Sequence, residues 1–596
     1  SYENGKFLMY YSVGNEKLMH VRVAVADDPA GPFTDSGHRL TDAVFAIDPH
    51  VFVDEDDTRW LFYATDFLTH THIGTGTVCD RMLDQFTLAG EPRPVTRARY
   101  DWQVYDPARK EKGGVRWHTV EGPFVLRRKN LYYQMFSGGN WQNLTYGVSY
   151  AVSDRIERGD EWEQAADGER VLPILRTIPE KVVGPGHNSV VRGTNNRELF
   201  CVYHRWDGER GRVLAIDRLD WVGERMTVLG ASTTPQPAPL PPTFQGFAGY
   251  DGADGLGEGW TPAGGRWELR EGEARQESTE EGEASARSEA GASSFLLEVS
   301  LRALGTSAKG AFGVALSGDG GGRALEFLIE PGANAARLSW RAGDGENAER
   351  RFALPADFET RAFHLLRVEV DGARATISLD ERVARWQGNL SIAPSSVALV
   401  TRGASAGFKG FELTVGWEEL FTQPERTLRS RGWQGVGEGD GWLLRDDLLR
   451  FENLEGSNRA ITRAPLLESY ELVVNARLER KPLRGVGRYG FYPAYVTDEH
   501  EPLLTVEREG VSDRWALLAR SLGNASIVAG WPLPESFDPL QMQQFRFRKQ
   551  KGRLAIQWES LPLGEINTTT EAAGVGLYAH RAHVAFDMVR VTAIKP

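Results

Sequence analysis

Four aromatic, strand-like runs recur along the first 230 residues, each behind a polar turn, and they leave little room for anything but β-structure. They are Phe7 to Ser12, Trp60 to Ala64, Leu131 to Ser137 and Leu199 to His204. The turns before them are Glu3-Asn4-Gly5, Asp54-Glu55-Asp56-Asp57, Arg128-Lys129-Asn130 and Gly193-Thr194-Asn195-Asn196. The runs start about 50 to 70 residues apart, which is room for several short strands per unit and is the signature of a β-propeller blade. Sustained helical periodicity is absent. Four such units are counted, or three and a half if the first is cut.

A stiff, extended segment follows, Thr234-Pro235-Gln236-Pro237-Ala238-Pro239-Leu240-Pro241-Pro242, and marks the strongest boundary in the chain. Beyond it the sequence repeats itself. Trp267 to Glu271 matches Trp442 to Asp446, and Phe295 to Arg302 matches Tyr470 to Arg477. Arg367 to Gly372 resembles Arg546 to Gly552, while Val397 and Phe408 match Val575 and Phe586. The offset stays between 175 and 180 residues throughout. Alternation such as Leu365, Arg367, Glu369 is that of half-buried strands. The expected architecture is therefore all-β. An incomplete five-bladed propeller over residues 1–232 leads through a linker, 233–243, to two jelly-roll or concanavalin-like β-sandwiches over 244–418 and 429–596. Trp267 and Trp442 recur at equivalent repeat positions, which points to core packing. The Gly-rich tract 317–322 and the acidic tract 277–283 read as exposed loops.

At 596 residues the chain is too long for one hydrophobic core. Its net charge of −13 comes with no basic stripe, which argues against nucleic acid and against an anionic membrane as partners. No apolar run is long enough to cross a bilayer as a helix. The two cysteines, Cys79 and Cys201, allow at most one disulfide and read as two buried free thiols. No His/Cys cluster has zinc spacing.

Two short acidic motifs carry the chemistry. Asp48 stands in Ile47-Asp48-Pro49 ahead of Val51-Phe52-Val53, and Glu121 stands in Val120-Glu121-Gly122-Pro123 ahead of Leu131-Tyr132-Tyr133. Proline restricts the residue before it to extended geometry, so both carboxylates are expected to be fixed at strand entrances. Two fixed carboxylates facing one pocket are what hydrolysis of a sugar acetal needs. The acid of such a pair must hold its proton at neutral pH, which burial or a neighbouring carboxylate achieves. Trp141, Trp206 and Trp102 could stack on sugar rings or pack in blade cores. Asp54 to Asp57 reads as a solvated hairpin tip, and Asp217-Arg218 as a structural ion pair.

With these motifs goes a resemblance. The first 230 residues look like the catalytic domain of glycoside hydrolase family 43, a five-bladed β-propeller. It is carried by Ala46 to Asp54, by Trp117-His118-Thr119-Val120-Glu121-Gly122-Pro123, by Gly184-Pro185-Gly186-His187-Asn188-Ser189, by Tyr203-His204 and by Arg212 to Leu219. The resemblance implies that Glu121 is the general acid and that Asp48 orients it and tunes its pKa. It implies that His187 lies on the central axis, where it is associated with a water-coordinated calcium ion. His204 and Arg212 match positions near the pocket floor, and with Trp141 and Trp206 they are expected to bind substrate.

The resemblance further implies an inverting mechanism, with water activated by a second carboxylate about 6.5–9.5 Å from the acid. That base normally lies in a first blade, which is expected to be missing here along with the natural N-terminus. Asp42 and Asp66 carry no motif that would mark a substitute. The chain as given is thus expected to be nearly inactive. The implied substrates are oligo- or polysaccharides such as arabinan, arabinoxylan and xylan. Exo-acting α-L-arabinofuranosidase comes first, β-xylosidase second and arabinanase third. The alternative is a carbohydrate-binding propeller and sandwich protein without catalysis. A fructan-cleaving propeller would carry Arg-Asp-Pro and Glu-Cys where this chain has Ile47-Asp48 and Glu121-Gly122. No cofactor is expected beyond a structural calcium. A monomer is expected, with a secreted or periplasmic bacterial location favoured over a cytoplasmic one.

Overall fold

Strand pairing gathers the first 230 residues into antiparallel meanders. The computed structural model describes all residues except 16, 159, 167–172, 248–254, 281, 424–426, 437–440, 463–467, 483–486, 497–502, 511, 513, 522–525, 569–573 and 595–596, so the acidic tract 277–283 lies partly outside the described residues. The described chain is all-β, broken only by short 3-10 turns. It divides into two compact units. The first is essentially residues 1–239 and the second 240–596, with 194–196 and 221–225 grouping with the second.

In the first unit, β1 (Tyr2–Glu3), β2 (Lys6–Asn15), β3 (Leu18–Ala26) and β4 (Thr34–Arg39) form one meander. A second comprises β5 (Ala46–Val53), β6 (Arg59–Phe67) and β7 (Gly74–Asp84), with β8 (Thr87–Leu88) and β9 (Arg93–Thr96) on its edge. After β10 (Val104–Arg109) comes a third, of β11 (Val115–Arg128), β12 (Leu131–Gly138), β13 (Gly147–Ser153) and β14 (Glu163–Gln164). The fourth is β15 (Val183–Arg192), β16 (Leu199–Asp207), β17 (Gly211–Val222) and β18 (Arg225–Val228). A short parallel contact, His118 with Gly74 and Thr119 with Thr75, joins β11 to β7. The four aromatic runs seen in the sequence are β2, β6, β12 and β16. Each is the second strand of its meander, and the polar turn before it is the first hairpin.

Their aromatic content follows from two-sided burial. Successive side chains on a strand point to opposite faces. On β6, Trp60 and Phe62 enter a cluster with Cys79, Val120, Phe136 and Trp162, while Leu61 and Tyr63 enter another with Leu8, Val21, Val23 and Val78. A strand covered on both faces needs apolar residues at consecutive positions, and Trp60 to Ala64 supplies them.

The first long strand of three meanders is interrupted in the same way. Ladder register shifts between Ile47 and His50 on β5, between Glu121 and Phe124 on β11, and twice between Val183 and Ser189 on β15. Each break contains a proline, and the residue before it has positive φ: Asp48 at 56°, Gly122 at 62° and Gly184 at 51°. A β-bulge leaves ladder groups unpaired, and proline has no N–H to lose there.

In the second unit the repeat becomes the same pairing scheme used twice. Ser294–Ser317 pairs with His364–Asp371 and with Ser396–Glu419. Tyr470–Leu478 pairs with Gln543–Gln550 and with Gly574–Ala593. Each set surrounds its own apolar core. One is built on Phe295, Phe312, Phe327 and Phe408, the other on Phe491, Phe545, Phe547 and Phe586. Trp267 is buried against Phe408, and Trp442 packs on Phe451 and Phe586, so both tryptophans are core residues.

Cys79 and Cys201 are buried free thiols, and burial pushes each up to about 12. A thiol reagent added to the native protein at neutral pH should therefore label neither, and denaturant should expose both. Labelling of the native protein at the rate of a free thiol would contradict this placement.

Candidate active site

The bulges of β5, β11 and β15 place Asp48, Glu121 and His187 side by side. Asp48 is the third residue of β5. Its N–H donates to Ser12 Oγ on β2 at 3.1 Å. Its Oδ2 accepts from the N–H of Gly122 at 3.1 Å, and its Oδ1 lies 3.9 Å from His187 Nε2. The extended geometry expected for Asp48 is not found, because the Asp-Pro pair forms the bulge itself. Aspartate is one of the few non-glycine residues that enters the left-handed region at modest cost. Glu121 likewise stands in the middle of β11 rather than at a strand entrance. The Gly122-Pro123 bulge beside it turns the Gly122 N–H toward Asp48.

Glu121 is half-buried, and Tyr146 Oη donates to its Oε1 at 2.7 Å. Burial first, and then the negative charge of Asp48, push the Glu121 carboxyl up to about 7. His187, the Tyr146 hydroxyl and Arg212 pull the other way. Burial also raises Asp48, against the charge of His187 and the Gly122 N–H. Two carboxyls whose environments push them apart from the ordinary range are the raw material of acid catalysis.

Tyr146 and Ser137 are site residues that the sequence did not reveal. Tyr146 is buried, and its ring stacks on His204 with centroids 5.6 Å apart. It occupies the space beside Gly186, where a Cβ would lie 2.1 Å from Tyr146 Cε1. The glycine of the Gly-Pro-Gly-His motif is thus a cavity for the tyrosine ring. Ser137 faces Glu121 across the β11–β12 ladder and accepts from the His187 N–H at 2.7 Å. The only available signal was that second glycine, which implies a close neighbour without naming it.

Around this centre stand the other expected residues. Trp141 and Trp206 stack with centroids 6.0 Å apart, and Trp206 Nε1 donates to Trp141 O at 2.5 Å. Arg212 lies over the Trp141 ring at 4.9 Å. Burial, then the charges of Arg212 and His187, lower His204 to about 4, so it is a neutral imidazole, and its Nε2 is buried with no hydrogen-bond partner among the described residues. Trp102 belongs elsewhere. It stacks on Phe136 within the blade interior.

Asp54 is the hairpin residue expected, tied to Tyr132 Oη at 2.6 Å. Asp217 and Arg218 do not pair with each other. Neighbours on a strand face opposite ways, so Asp217 accepts from Tyr203 Oη and the Ser232 N–H while Arg218 reaches Glu198. Asp42 is exposed, and Asp66 is held by Lys112 Nζ at 2.8 Å.

Among the described residues no group of three or more His, Cys, Asp or Glu side chains could hold a metal ion directly. Calcium takes six to eight oxygen ligands. Among the described residues the side chains around His187 do not by themselves make such a set.

Two outcomes follow. Gly186→Ala drives a methyl into the Tyr146 ring, and overpacking of this kind costs about 1–3 kcal/mol, readable as a lower urea midpoint. Glu121 gives up its proton near 4.5 when unfolded but near 7 when folded, so the folded state binds more protons between those values. That contribution to stability is complete below 4.5 and is lost as pH rises through about 7. Wild-type protein should therefore lose more stability than Glu121→Gln between about pH 5 and about pH 8 in parallel urea melts.

Residues 1–225 match the family described as Glycosyl hydrolases family 43. The chain is 28% identical over 226 residues to the β-D-galactofuranosidase xynD of Aspergillus niger, covering 36% of this chain and 56% of that protein. It is 28% identical over 167 residues to the arabinan endo-1,5-α-L-arabinosidase B of Emericella nidulans, covering 23% of this chain and 42% of the relative. The chain thus spans about half the length of these curated relatives. A thermostable family-43 glycoside hydrolase of known structure aligns at 29% identity with a TM-score of 0.34, over 40% of this chain and 75% of that one. Over residues 1–225, then, the chain is similar to the glycosyl hydrolases of family 43.

Proposed function

We propose that residues 1–225 act as an inverting glycosidase on terminal furanosyl or pentosyl units, α-L-arabinofuranosyl first and β-xylosyl second. The observation that carries this reading is Glu121, a half-buried acid pushed up to about 7 beside a second carboxylate that it reaches through one backbone amide. A carboxyl with that pKa is still substantially protonated at neutral pH and gives its proton readily, which is the requirement for protonating a leaving sugar oxygen.

In this reading Glu121 donates its proton to the glycosidic oxygen as the C–O bond breaks, while a water molecule adds to the anomeric carbon from the opposite face and releases a proton to solvent. Asp48 supplies the negative charge that delays the loss of that proton and holds the Gly122 backbone in place. The Trp141, Trp206 and Arg212 wall takes the sugar's apolar face. His204 Nε2, buried without a partner among the described residues, is offered to a substrate hydroxyl. The relatives named for galactofuranoside and arabinan cleavage support a furanoside as substrate. Arabinan, arabinoxylan and xylan are the polymers proposed, acted on by a monomer outside the cytoplasm. No organic cofactor is invoked, and calcium is given no catalytic part.

The reading assigns no general base within the chain. A second reading follows from the same observation: the first unit binds carbohydrate without cleaving it. Both are tested by turnover of nitrophenyl α-L-arabinofuranoside and β-D-xyloside, with and without azide as an external nucleophile. The glycosidase reading expects only slow turnover by the chain as given, raised by azide, falling on the alkaline side of about pH 7 as Glu121 ionises, and reduced by about 10²-fold or more in Glu121→Gln. Equal rates in wild type and variant remove Glu121 from the mechanism. Sugar binding without turnover, even with azide, replaces the glycosidase by the binding reading.

A further inference from the structure

We propose that the outward face of one sheet in the second repeat, around Tyr578, Arg459 and Arg488, binds a saccharide chain that carries uronic acid carboxylates. The site lies wholly within the second unit and stands apart from the glycosidase reading of residues 1–225.

The two repeats are each other's control. In the first, Ser396–Glu419 sets Val400 between Ser285 and Gly313, and Gly313 faces Leu328. In the second, Gly574–Ala593 sets Tyr578 between Arg459 and Gly490, and Gly490 faces Thr505. The ladders are the same, so positions can be equated strand by strand. On either side of that row, Ala311 faces Arg402 where Arg488 faces His580, and Ala315 faces Ala398 where Tyr492 faces Gly576. Positions that point into the sandwich stay apolar in both repeats: Phe312 and Tyr489, Val314 and Phe491, Leu399 and Leu577. The outward positions differ. The first repeat fills them with a small aliphatic cluster, Ala311, Ala315, Leu328 and Val400. The second has Arg488, Tyr492, Thr505 and Tyr578 in their place. A fold built once with alanine and valine at these positions does not need arginine and tyrosine there, so those residues serve something other than its stability.

Their chemistry fits a sugar acid. Tyr492 is buried, and the half-buried rings of Tyr495 and Tyr578 meet it edge-on, with centroids 5.7 and 6.3 Å away. Tyrosine rings held in this way offer apolar faces with hydroxyls at their rims, which matches the C–H face and hydroxyls of a sugar ring. The Arg459 guanidinium lies over the Tyr495 ring at 5.7 Å. Arg520 holds Glu507 through two hydrogen bonds of 2.8 Å, and Thr505 Oγ1 donates to the same carboxylate. Arg488 Nε stays 3.8 Å from Glu507 Oε1 and is buried with no hydrogen bond among the described residues. Burial, then the charges of Arg488 and Arg581, hold His580 below the usual histidine range, and its Nδ1 likewise has no partner among the described residues. Buried donors and acceptors left in this state are few in folded proteins.

Among the described residues at these outward ladder positions, Arg459, Arg488 and Arg520 stand against one carboxylate, Glu507, in a chain whose net charge is −13. A local excess of guanidinium attracts a carboxylate and pairs with it in a planar fork. A nucleic acid, charged at every nucleotide, is bound along a longer basic track than three arginines and one glutamate supply.

The repeats also supply the test. Arg459→Ser, Arg488→Ala and Tyr578→Val each install the residue that the first repeat carries at that place. Calorimetric titration of the full chain with xylo-oligosaccharides bearing a glucuronic acid branch should show binding that weakens as salt is raised. Unbranched xylo-oligosaccharides should bind at least about tenfold more weakly. The triple variant should lose at least about tenfold in affinity for the acidic ligand, with its urea midpoint and its turnover of nitrophenyl glycosides unchanged. Tyr578→Phe should bind as wild type does. Tyr578→Val alone should weaken binding, and it decides the question if the triple variant does not fold.

No binding of the acidic ligand, or undiminished binding by the folded variants, would overturn the proposal. Equal affinity for branched and unbranched ligands would overturn its uronate part. Tighter binding of a single-stranded oligonucleotide, lost in the triple variant, would replace the saccharide by nucleic acid. Binding here without turnover of any nitrophenyl glycoside would leave this site standing and end only the glycosidase reading.

Discussion

The site depends on a single hydrogen bond between meanders, from the Gly122 N–H to Asp48 Oδ2. It joins the bulge of one meander to the bulge of the next, and it brings one carboxylate within electrostatic reach of the other. Without it Asp48 would be a buried anion with only a half-exposed imidazole nearby, and burial of that kind is costly. With it, Asp48 keeps enough charge to lift Glu121 while Tyr146 and Arg212 keep the lift moderate. Charged hydrogen bonds are worth about 1.5–3 kcal/mol each, so a balance that rests on two of them, one at Asp48 and one at Glu121, is sensitive to the loss of either.

The device that builds this contact is used three times. A proline interrupts the first long strand of a meander, the residue before it takes positive φ, and a side chain that would have lain in the blade turns toward its neighbours. Proline is suited to such a break because it removes a donor that the bulge would have left unsatisfied. The cost is a left-handed residue in each strand. At Gly122 that cost is small, and at Asp48 it is offset by two hydrogen bonds, through the backbone N–H and through Oδ2.

The sequence was most legible where burial acts on consecutive residues. The aromatic runs declared the second strand of every meander because both faces of those strands are covered. The repeat beyond the linker declared its pairing scheme because the same ladders recur at a constant offset. Asp48 and Glu121 could be named because each stands in a proline motif, yet the conformation read from Asp48-Pro49 was wrong. The rule for residues before proline describes ordinary chain, and a bulge is where it fails. Tyr146 and Ser137 stayed hidden because one comes from the segment just before β13 and the other from β12, and nothing in their own neighbourhood marks them. Arg218 was assigned the adjacent aspartate when strand geometry sends the two side chains to opposite faces.

The strand Ser396–Glu419 has a consequence outside chemistry. Its body belongs to the first core of the second unit, while its last residues, Gly416 to Glu419, form a ladder with Val589 to Thr592 of the second. The two cores therefore share one continuous strand. Tension applied to one is transmitted along the backbone to the other, and the repeats should resist shear and proteolytic separation as a single stiff member.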